Sequence, residues 1–317
     1  MAKMKASDLF VKCLEEEGVT HIFGVPGEEN ADVMMSLKKS KQIDFVLCRH
    51  EQAAAFMADL YGRLTGKAGV CLGTLGPGAT NLVTGVADAN MDRAPLVAII
   101  GQAGTDRLHK ESHQNMDSIA MFRPITKWAQ TIYNPETVPE VIRKAFKVAE
   151  AEKPGACVIE LPEDIAEREM EAMEPLTVRK TRRPAADHKA VKAAVDIIAE
   201  AKNPVILAGN GAVRKRASEQ LRRLAQKTGI PVVNTFMGKG AVSMDDEHCL
   251  FTIGLQGRDH VNLLLDEADV IIAAGYDLVE YAPSFWNKGK PKKVVLIDFE
   301  PAEVDAALPV EVDVVAD

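Results

Sequence analysis

The sequence has no C-x-x-C pair, and its five cysteines, Cys13, Cys48, Cys71, Cys157 and Cys249, are scattered and odd in number. That excludes a disulfide framework and a thiolate zinc site, and points to reduced thiols in a cytoplasmic protein. No apolar run approaches the roughly 18 residues a membrane span needs, so no membrane is expected as a partner. The N-terminal stretch MAKMKASDLFVKCLEEEG interrupts every apolar run with charge, which describes an amphipathic helix and not a signal peptide. Basic clusters are scarce as well. The formal charge is −8, and the one compact basic group, Arg179, Lys180, Arg182 and Arg183, reads as a solvated linker. Nucleic acid is therefore not an expected partner. There is no internal repeat and no low-complexity tract.

What is present is ample core material. A chain of 317 residues, 47% hydrophobic and 26% charged, fits two globular domains of roughly 150 residues each. In the first half, helical and strand patterns alternate. Ser7 or Asp8 caps a helix that ends at Gly18; His21 to Val25 reads as a strand, Pro26-Gly27 as a turn and Ala31 to Leu37 as a helix. Strands follow at Ile43 to Cys48, Gly69 to Thr74, Leu96 to Ile100 and Ala156 to Leu161. Helices lie after Glu51, from Thr80 to Ala89 and from Val138 to Ala151. Acidic and then basic residues, with Pro175 and Pro184, mark a linker over 166–188 between a first domain, 1–165, and a second, 189–317.

The second domain repeats the alternation. Helices are expected over Lys189 to Glu200, Lys215 to Thr228 and His260 to Asp266, and strands over Pro204 to Ala208, Pro231 to Asn234, Val270 to Ala274 and Lys293 to Asp298. Val312 to Val315 reads as a last strand with no helix after it, the mark of a truncated domain. Strands followed by helices in this order imply an α/β protein of two doubly wound domains, each a mainly parallel sheet flanked by helices.

Three stretches could carry chemistry. Glu51 leads into Ala53, Ala54, Ala55, Phe56, Met57, Ala58, Leu60 and Tyr61, a helix apolar on all sides and so expected to be buried on all sides. A helix N-terminus favours a carboxylate by about 0.3–1 kcal/mol, whereas full burial favours the protonated acid. A carboxyl balanced in this way suits acid/base work on a nitrogen heterocycle. Pairing with Arg49 or Arg63, or capping of its own helix, accounts for Glu51 equally well at this level.

The second stretch, Gly73-Thr74-Leu75-Gly76-Pro77-Gly78-Ala79-Thr80-Asn81, places glycines between a strand and a helix, where ligands of open α/β sheets collect. It matches neither G-x-G-x-x-G nor a P-loop, and a plain tight turn accounts for it as well. The third, His109-Lys110-Glu111-Ser112-His113-Gln114, is a polar loop at the same sheet edge. Two histidines four apart with Glu111 between them lack the helix that would align them as metal ligands, so no metal site is assigned and a solvated or substrate-facing loop remains.

Taken together, G-V-P-G at 24–27, R-H-E-Q-A-A-A-F-M-A at 49–58, Y-G-R-L-T-G-K at 61–67, L-G-P-G-A-T-N-L at 75–82, A-D-A-N-M-D-R-A-P at 87–95, P-I-T-K-W at 124–128 and E-L-P-E-D at 160–164 resemble the thiamine-diphosphate enzymes, specifically the acetolactate synthase large subunits. The resemblance is ordered and spans the whole first domain. It implies that Glu51 hydrogen-bonds ring nitrogen N1′ of the thiamine diphosphate pyrimidine and drives the tautomer that activates thiazolium C2. It places Pro26, Gly27, Thr74, Gly76, Pro77 and Asn81 along the cofactor, and His113 and Gln114 in a loop that reaches the substrate. His113 departs from the family, where an aromatic residue commonly precedes the glutamine.

By the same resemblance the protein joins two pyruvates to 2-acetolactate with loss of CO₂, as a homodimer or homotetramer, with a regulatory subunit possible. The family's G-D-G motif, which holds Mg²⁺ and the diphosphate in a third domain, does not occur in this sequence. The expectation is a two-domain N-terminal portion, inactive alone. The second domain resembles two branches. Gly275-Tyr276-Asp277-Leu278-Val279-Glu280-Tyr281 with Phe285-Trp286-Asn287 is similar to the FAD-independent catabolic branch; Met237-Gly238-Lys239-Gly240 and the stretch Ile297 to Glu303 are similar to the FAD-binding biosynthetic branch. Lys153 stands where the FAD branch carries arginine, so FAD is left open, with the balance against an obligatory flavin. Other branches, such as pyruvate oxidase, glyoxylate carboligase or a 2-oxo acid decarboxylase, and a non-catalytic nucleotide-binding or assembly module, are the alternatives.

Overall fold

A computed structural model describes residues 2–179, 181–214, 217–254, 260–288 and 292–317 and divides the chain into two compact units, Met1–Thr181 and Arg182–Asp317. Lys180 of the basic cluster and Lys215, the expected start of a helix, lie outside the described residues.

The first unit runs β1 (Lys3–Lys5), α1 (Ala6–Glu16), β2 (His21–Gly24), α2 (Ala31–Leu37), β3 (Asp44–Leu47), α3 (Glu51–Thr65), β4 (Gly69–Gly73) and α4 (Pro77–Met91). It continues through β5 (Leu96–Gln102), α5 (Ser118–Phe122), β6 (Trp128–Thr131), α6 (Val138–Glu150), β7 (Ala156–Pro162), α7 (Glu163–Glu167) and β8 (Glu169–Glu171). Six strands pair in parallel in the order β3-β2-β4-β5-β7-β6. Alternate strand residues feed two cores. Leu9, Phe10 and Leu14 of α1 and Ile142 and Phe146 of α6 cover one face with Ile22, Val70 and Val97. Ala54, Ala55 and Ala58 of α3 and Leu82 and Val86 of α4 cover the other with Cys71, Leu96 and Ala98. The strand order reverses between β2 and β4, so the crevice at their carboxyl ends is where such a sheet receives a ligand.

Small residues hold α3 close to β4 and to α4. A side chain at Gly69 would stand 1.9 Å from the Ala58 carbonyl oxygen, and one at Gly85 would stand 2.6 Å from the Ala55 Cβ. At its far end α3 is fastened by Arg63, whose guanidinium reaches Asp59, Asp88 and Asp92 at 2.9 Å each. Asp59 is only 2% exposed, so it depends on that cation; burial, opposed by Arg63, pushes its carboxyl pKa up. Arg63→Met is expected to lower unfolding free energy by about 2 kcal/mol, discounted because Arg63 and its other two carboxylates are partly solvated. Urea denaturation measures this.

Several sequence expectations differ from the structure. Helix α3 is not buried on all sides: Met57, Leu60 and Leu64, on one stripe, are 44%, 56% and 85% exposed. An all-apolar composition cannot distinguish a central helix from an outer-layer helix whose second face is also apolar. Helix α4 begins at Pro77 and not at Thr80, because Gly76 turns the chain at φ 52° and Pro77, needing no N–H partner, occupies the first helical position. Strand β6 was not expected; it is four residues long, at the sheet edge, with polar Gln130 and Thr131 among its members. Within 166–188, β8 pairs antiparallel with β1.

In the second unit the order is α8 (His188–Glu200), β9 (Pro204–Ala208), α9 (Asn210–Val213), α10 (Ala217–Thr228), β10 (Val232–Asn234), β11 (Cys249–Thr252), α11 (His260–Glu267), β12 (Val270–Ala274), α12 (Pro283–Trp286), β13 (Lys293–Asp298) and β14 (Val310–Val315). The sheet order is β11-β10-β9-β12-β13-β14, again parallel throughout. Both units therefore have the doubly wound α/β fold read from the alternation of strands and helices. All five cysteines are buried and unpaired, and among the described residues no helix is long and apolar enough to cross a membrane.

Candidate functional site

Strands β3 and β4 flank β2 in the sheet, and the helices that follow them, α3 and α4, both start at its carboxyl edge. Helix α3 begins at Glu51, with His50 as its cap: the Nδ1 atom of His50 accepts from the Gln52 N–H at 3.1 Å. Glu51 is thus freed from capping its own helix, and Arg63 is engaged with three aspartates at the other end. Instead the Glu51 carboxylate, 8% exposed, turns across to α4, where Asn81 Nδ2 donates to Oε2 at 2.9 Å. Oε1 has no hydrogen-bond partner among the described residues. It lies beside the backbone of Gly78, where an added Cβ would stand 3.5 Å from Oε1 and 2.9 Å from Thr74 Cγ2.

Thr74 follows β4 and forms the floor between Glu51 and the turn after β2. Its hydroxyl donates to Glu29 Oε2 at 2.7 Å, and Gly27 lies so close that a Cβ there would be 2.4 Å from Thr74 Cβ. The Gly27 N–H donates to Asn30 Oδ1 at 2.9 Å, which fixes the turn. Gly76 carries Gln114 against it; a Cβ on Gly76 would meet the Gln114 carbonyl oxygen at 2.8 Å. The structure therefore brings Glu51, Gly27, Thr74, Gly76, Asn81 and Gln114 to one sheet edge. Pro26 and Pro77 are exposed beside them, and His113 is exposed next to Gln114 with no hydrogen bond to the cluster among the described residues.

Two features escaped sequence reasoning. Glu29 is a second carboxylate at the site, signalled only by its place in P-G-E-E-N. The other is a buried network that holds the Gln114 loop. Glu160 of β7 accepts from Gln102 Nε2 at 2.9 Å and from the Thr131 hydroxyl at 2.6 Å, while the same Gln102 amide donates to the Met116 carbonyl at 3.1 Å. Burial pushes the Glu160 carboxyl pKa up, against those two donors. Asp164 accepts from the Thr105 N–H at 3.0 Å and its hydroxyl at 2.6 Å, and Glu163 pairs with Arg107. E-L-P-E-D thus anchors both ends of the loop. A charged residue inside the apolar strand C-V-I-E-L was the available signal.

Glu51, with one oxygen held by Asn81 and the other beside the Gly78 backbone, thus stands at the sheet edge where doubly wound α/β folds receive ligands. The fold and this site define a cofactor-binding α/β protein. The sequence matches the N-terminal TPP binding domain of thiamine pyrophosphate enzymes over residues 4–121 and their central domain over residues 191–317. The chain belongs to the thiamine pyrophosphate enzymes. It is 38% identical over 319 residues to the acetolactate synthase of Bacillus subtilis (strain 168), covering 100% of this chain and 56% of that protein. It is 39% identical over 321 residues to the probable acetolactate synthase large subunit of Methanocaldococcus jannaschii, covering 99% of this chain and 54% of that protein. The glyoxylate carboligase of Escherichia coli O157:H7 is 36% identical over 324 residues, with 100% and 54% covered. The chain spans about half the length of the curated relatives it matches.

Proposed function

We propose that this chain supplies the pyrimidine-binding and central domains of an acetolactate synthase, which condenses two pyruvates to 2-acetolactate with release of CO₂. The observation that carries the reading is Glu51, withdrawn from water at the start of α3, held on one oxygen by Asn81 and open on the other beside Gly78. The residues fit thiamine diphosphate: Glu51 Oε1 has no hydrogen-bond partner among the described residues and is available to a ring nitrogen, and Gly78 puts backbone with no side chain beside it. When bound, the cofactor supplies a nucleophilic thiazolium carbon for the keto acid.

The chain's own residues do the rest. Glu51 holds a proton at the pyrimidine ring nitrogen, and Asn81 keeps its carboxylate turned toward that nitrogen. Gly27, Thr74, Gly76 and Gly78 line the ring, with Pro26 and Pro77 at the rim. Gln114, with His113 beside it, faces the keto acid from the loop anchored by Glu160, Glu163 and Asp164. Mg²⁺ and the diphosphate are assigned to a domain outside this sequence, so this chain alone is expected to be inactive. The exposed stripe of Met57, Leu60 and Leu64 supports assembly into at least a dimer, and the buried free thiols support a cytoplasmic setting.

Joining the chain to the diphosphate-binding domain of a relative tests the activity, with acetolactate from pyruvate as the expected product. The glyoxylate carboligase relative motivates one rival; turnover of glyoxylate in preference to pyruvate would favour it. Asn81→Leu removes the donor that aims Glu51. It is expected to weaken thiamine diphosphate binding by about 10-fold, the worth of one hydrogen bond to a charged group, as read by calorimetric titration.

A further inference from the structure

The second unit's sheet has the same kind of edge at which open α/β sheets bind nucleotides, formed here by the segments after β9, β10 and β12. Among the described residues, a side chain of this protein occupies part of that edge. From the segment after β12, the half-buried Glu280 reaches back: its Oε1 accepts from the Asn210 N–H at 2.8 Å and its Oε2 from the Met237 N–H at 3.2 Å. The Thr235 hydroxyl also donates to Oε2. Two backbone amides from different loops and a hydroxyl converging on two oxygens are what a phosphate group would require of this edge.

The loops after β9 and β12 are packed against each other. Gly275 turns at φ 57°, and a Cβ on Gly209 would stand 2.4 Å from the Gly275 carbonyl oxygen, so the two backbones are in direct contact. The segment that carries Glu280 is braced by aromatics. Tyr276 and Trp286 meet edge to face with centroids 5.8 Å apart, and the Trp286 Nε1–H donates to Tyr276 Oη at 3.1 Å. Tyr276 in turn donates to the Tyr281 carbonyl. Asp277, 5% exposed, adds a further acidic group to the same segment.

We propose that Glu280 is a resident internal anion that clamps these three loops in place of a nucleotide phosphate, so the second unit binds neither FAD nor an adenine nucleotide at this edge. An incoming diphosphate would have to evict the carboxylate or share its donors, and like charges at that separation oppose one another. On this reading this chain's own side chain takes the donors that a nucleotide phosphate would use at this edge. The inference is independent of Glu51, because its test contains no thiamine diphosphate.

The test titrates FAD and ADP separately into the wild-type chain, reading flavin fluorescence and heat, and compares melting temperatures of wild type, Glu280→Gln and Glu280→Ala. Neither nucleotide is expected to bind at concentrations up to about 1 mM. Glu280→Ala, which leaves the cradle without an acceptor, is expected to melt about 5–10 °C lower, and Glu280→Gln, which keeps one oxygen, to lose less. Micromolar binding of FAD or ADP by the wild type would overturn the proposal. So would Glu280→Ala melting with the wild type. Should the alanine variant fail to fold, the wild-type titration and the glutamine variant still decide.

Discussion

Glu51→Gln, in a protein that joins this chain to a diphosphate-binding domain, is expected to lower acetolactate formation by about 10²–10⁴-fold, the contribution typical of a positioned general acid or base. The substitution keeps size and shape. Helix α3 is capped by His50 and not by Glu51, so the fold has no reason to change. The amide still accepts from Asn81 through its oxygen, but it cannot take up and return a proton. The two losses are separable by experiment: cofactor binding measured by titration should change far less than turnover. Activity near wild type in the variant would mean that the carboxylate has no proton to handle.

Gly69→Ala is expected to destabilise the first unit by about 3 kcal/mol or more, because the new methyl group would stand 1.9 Å from the Ala58 carbonyl oxygen. The clash is with backbone on both sides, and no rotamer relieves it. Relief requires α3 to lift from β4, and Glu51 is the first residue of that helix. Stability and function should therefore fall together, unlike Glu51→Gln, where they part. The stability loss is read by urea denaturation followed through far-UV circular dichroism. An unchanged midpoint would show that α3 has more freedom over the sheet than the packing of Ala58 on Gly69 allows.

The regular parts of both units were legible in the sequence for a physical reason. Strands buried on both faces, such as L-V-A-I-I, must be almost continuously apolar. The glycines and prolines between them favour turn backbones and interrupt helices and strands, so they mark where each element stops. What stayed hidden was short or non-local. Strands β6 and β11 have four residues each, at sheet edges, where half the positions meet water and the period weakens. The exposed stripe of α3 was hidden because an apolar face left outward looks the same in one dimension as an apolar face turned inward.

The site was legible by type and not by partner. R-H-E and L-G-P-G marked Glu51, Gly76 and Asn81 as residues of interest, yet nothing in the sequence says that Asn81, rather than Arg49 or Arg63, meets Glu51. That contact needs β3 and β4, the strands that precede the two helices, to flank β2 in one parallel sheet so that both helices start at the same edge. Glu160 and Glu280 show the same limit. Each is a carboxylate among apolar neighbours, a visible oddity, but its donors come from segments far away in the chain: Gln102 and Thr131 for the first, Asn210, Thr235 and Met237 for the second.

The most direct test is a crystal structure of this chain, joined to the diphosphate-binding domain of a relative, with thiamine diphosphate and Mg²⁺. A Glu51 carboxylate oxygen is expected within about 2.6–3.0 Å of the pyrimidine ring nitrogen, with Asn81 still bonded to the other oxygen. A cofactor ring bound elsewhere, or a Glu51 side chain turned away from it with Asn81 as its sole partner, would contradict the assignment.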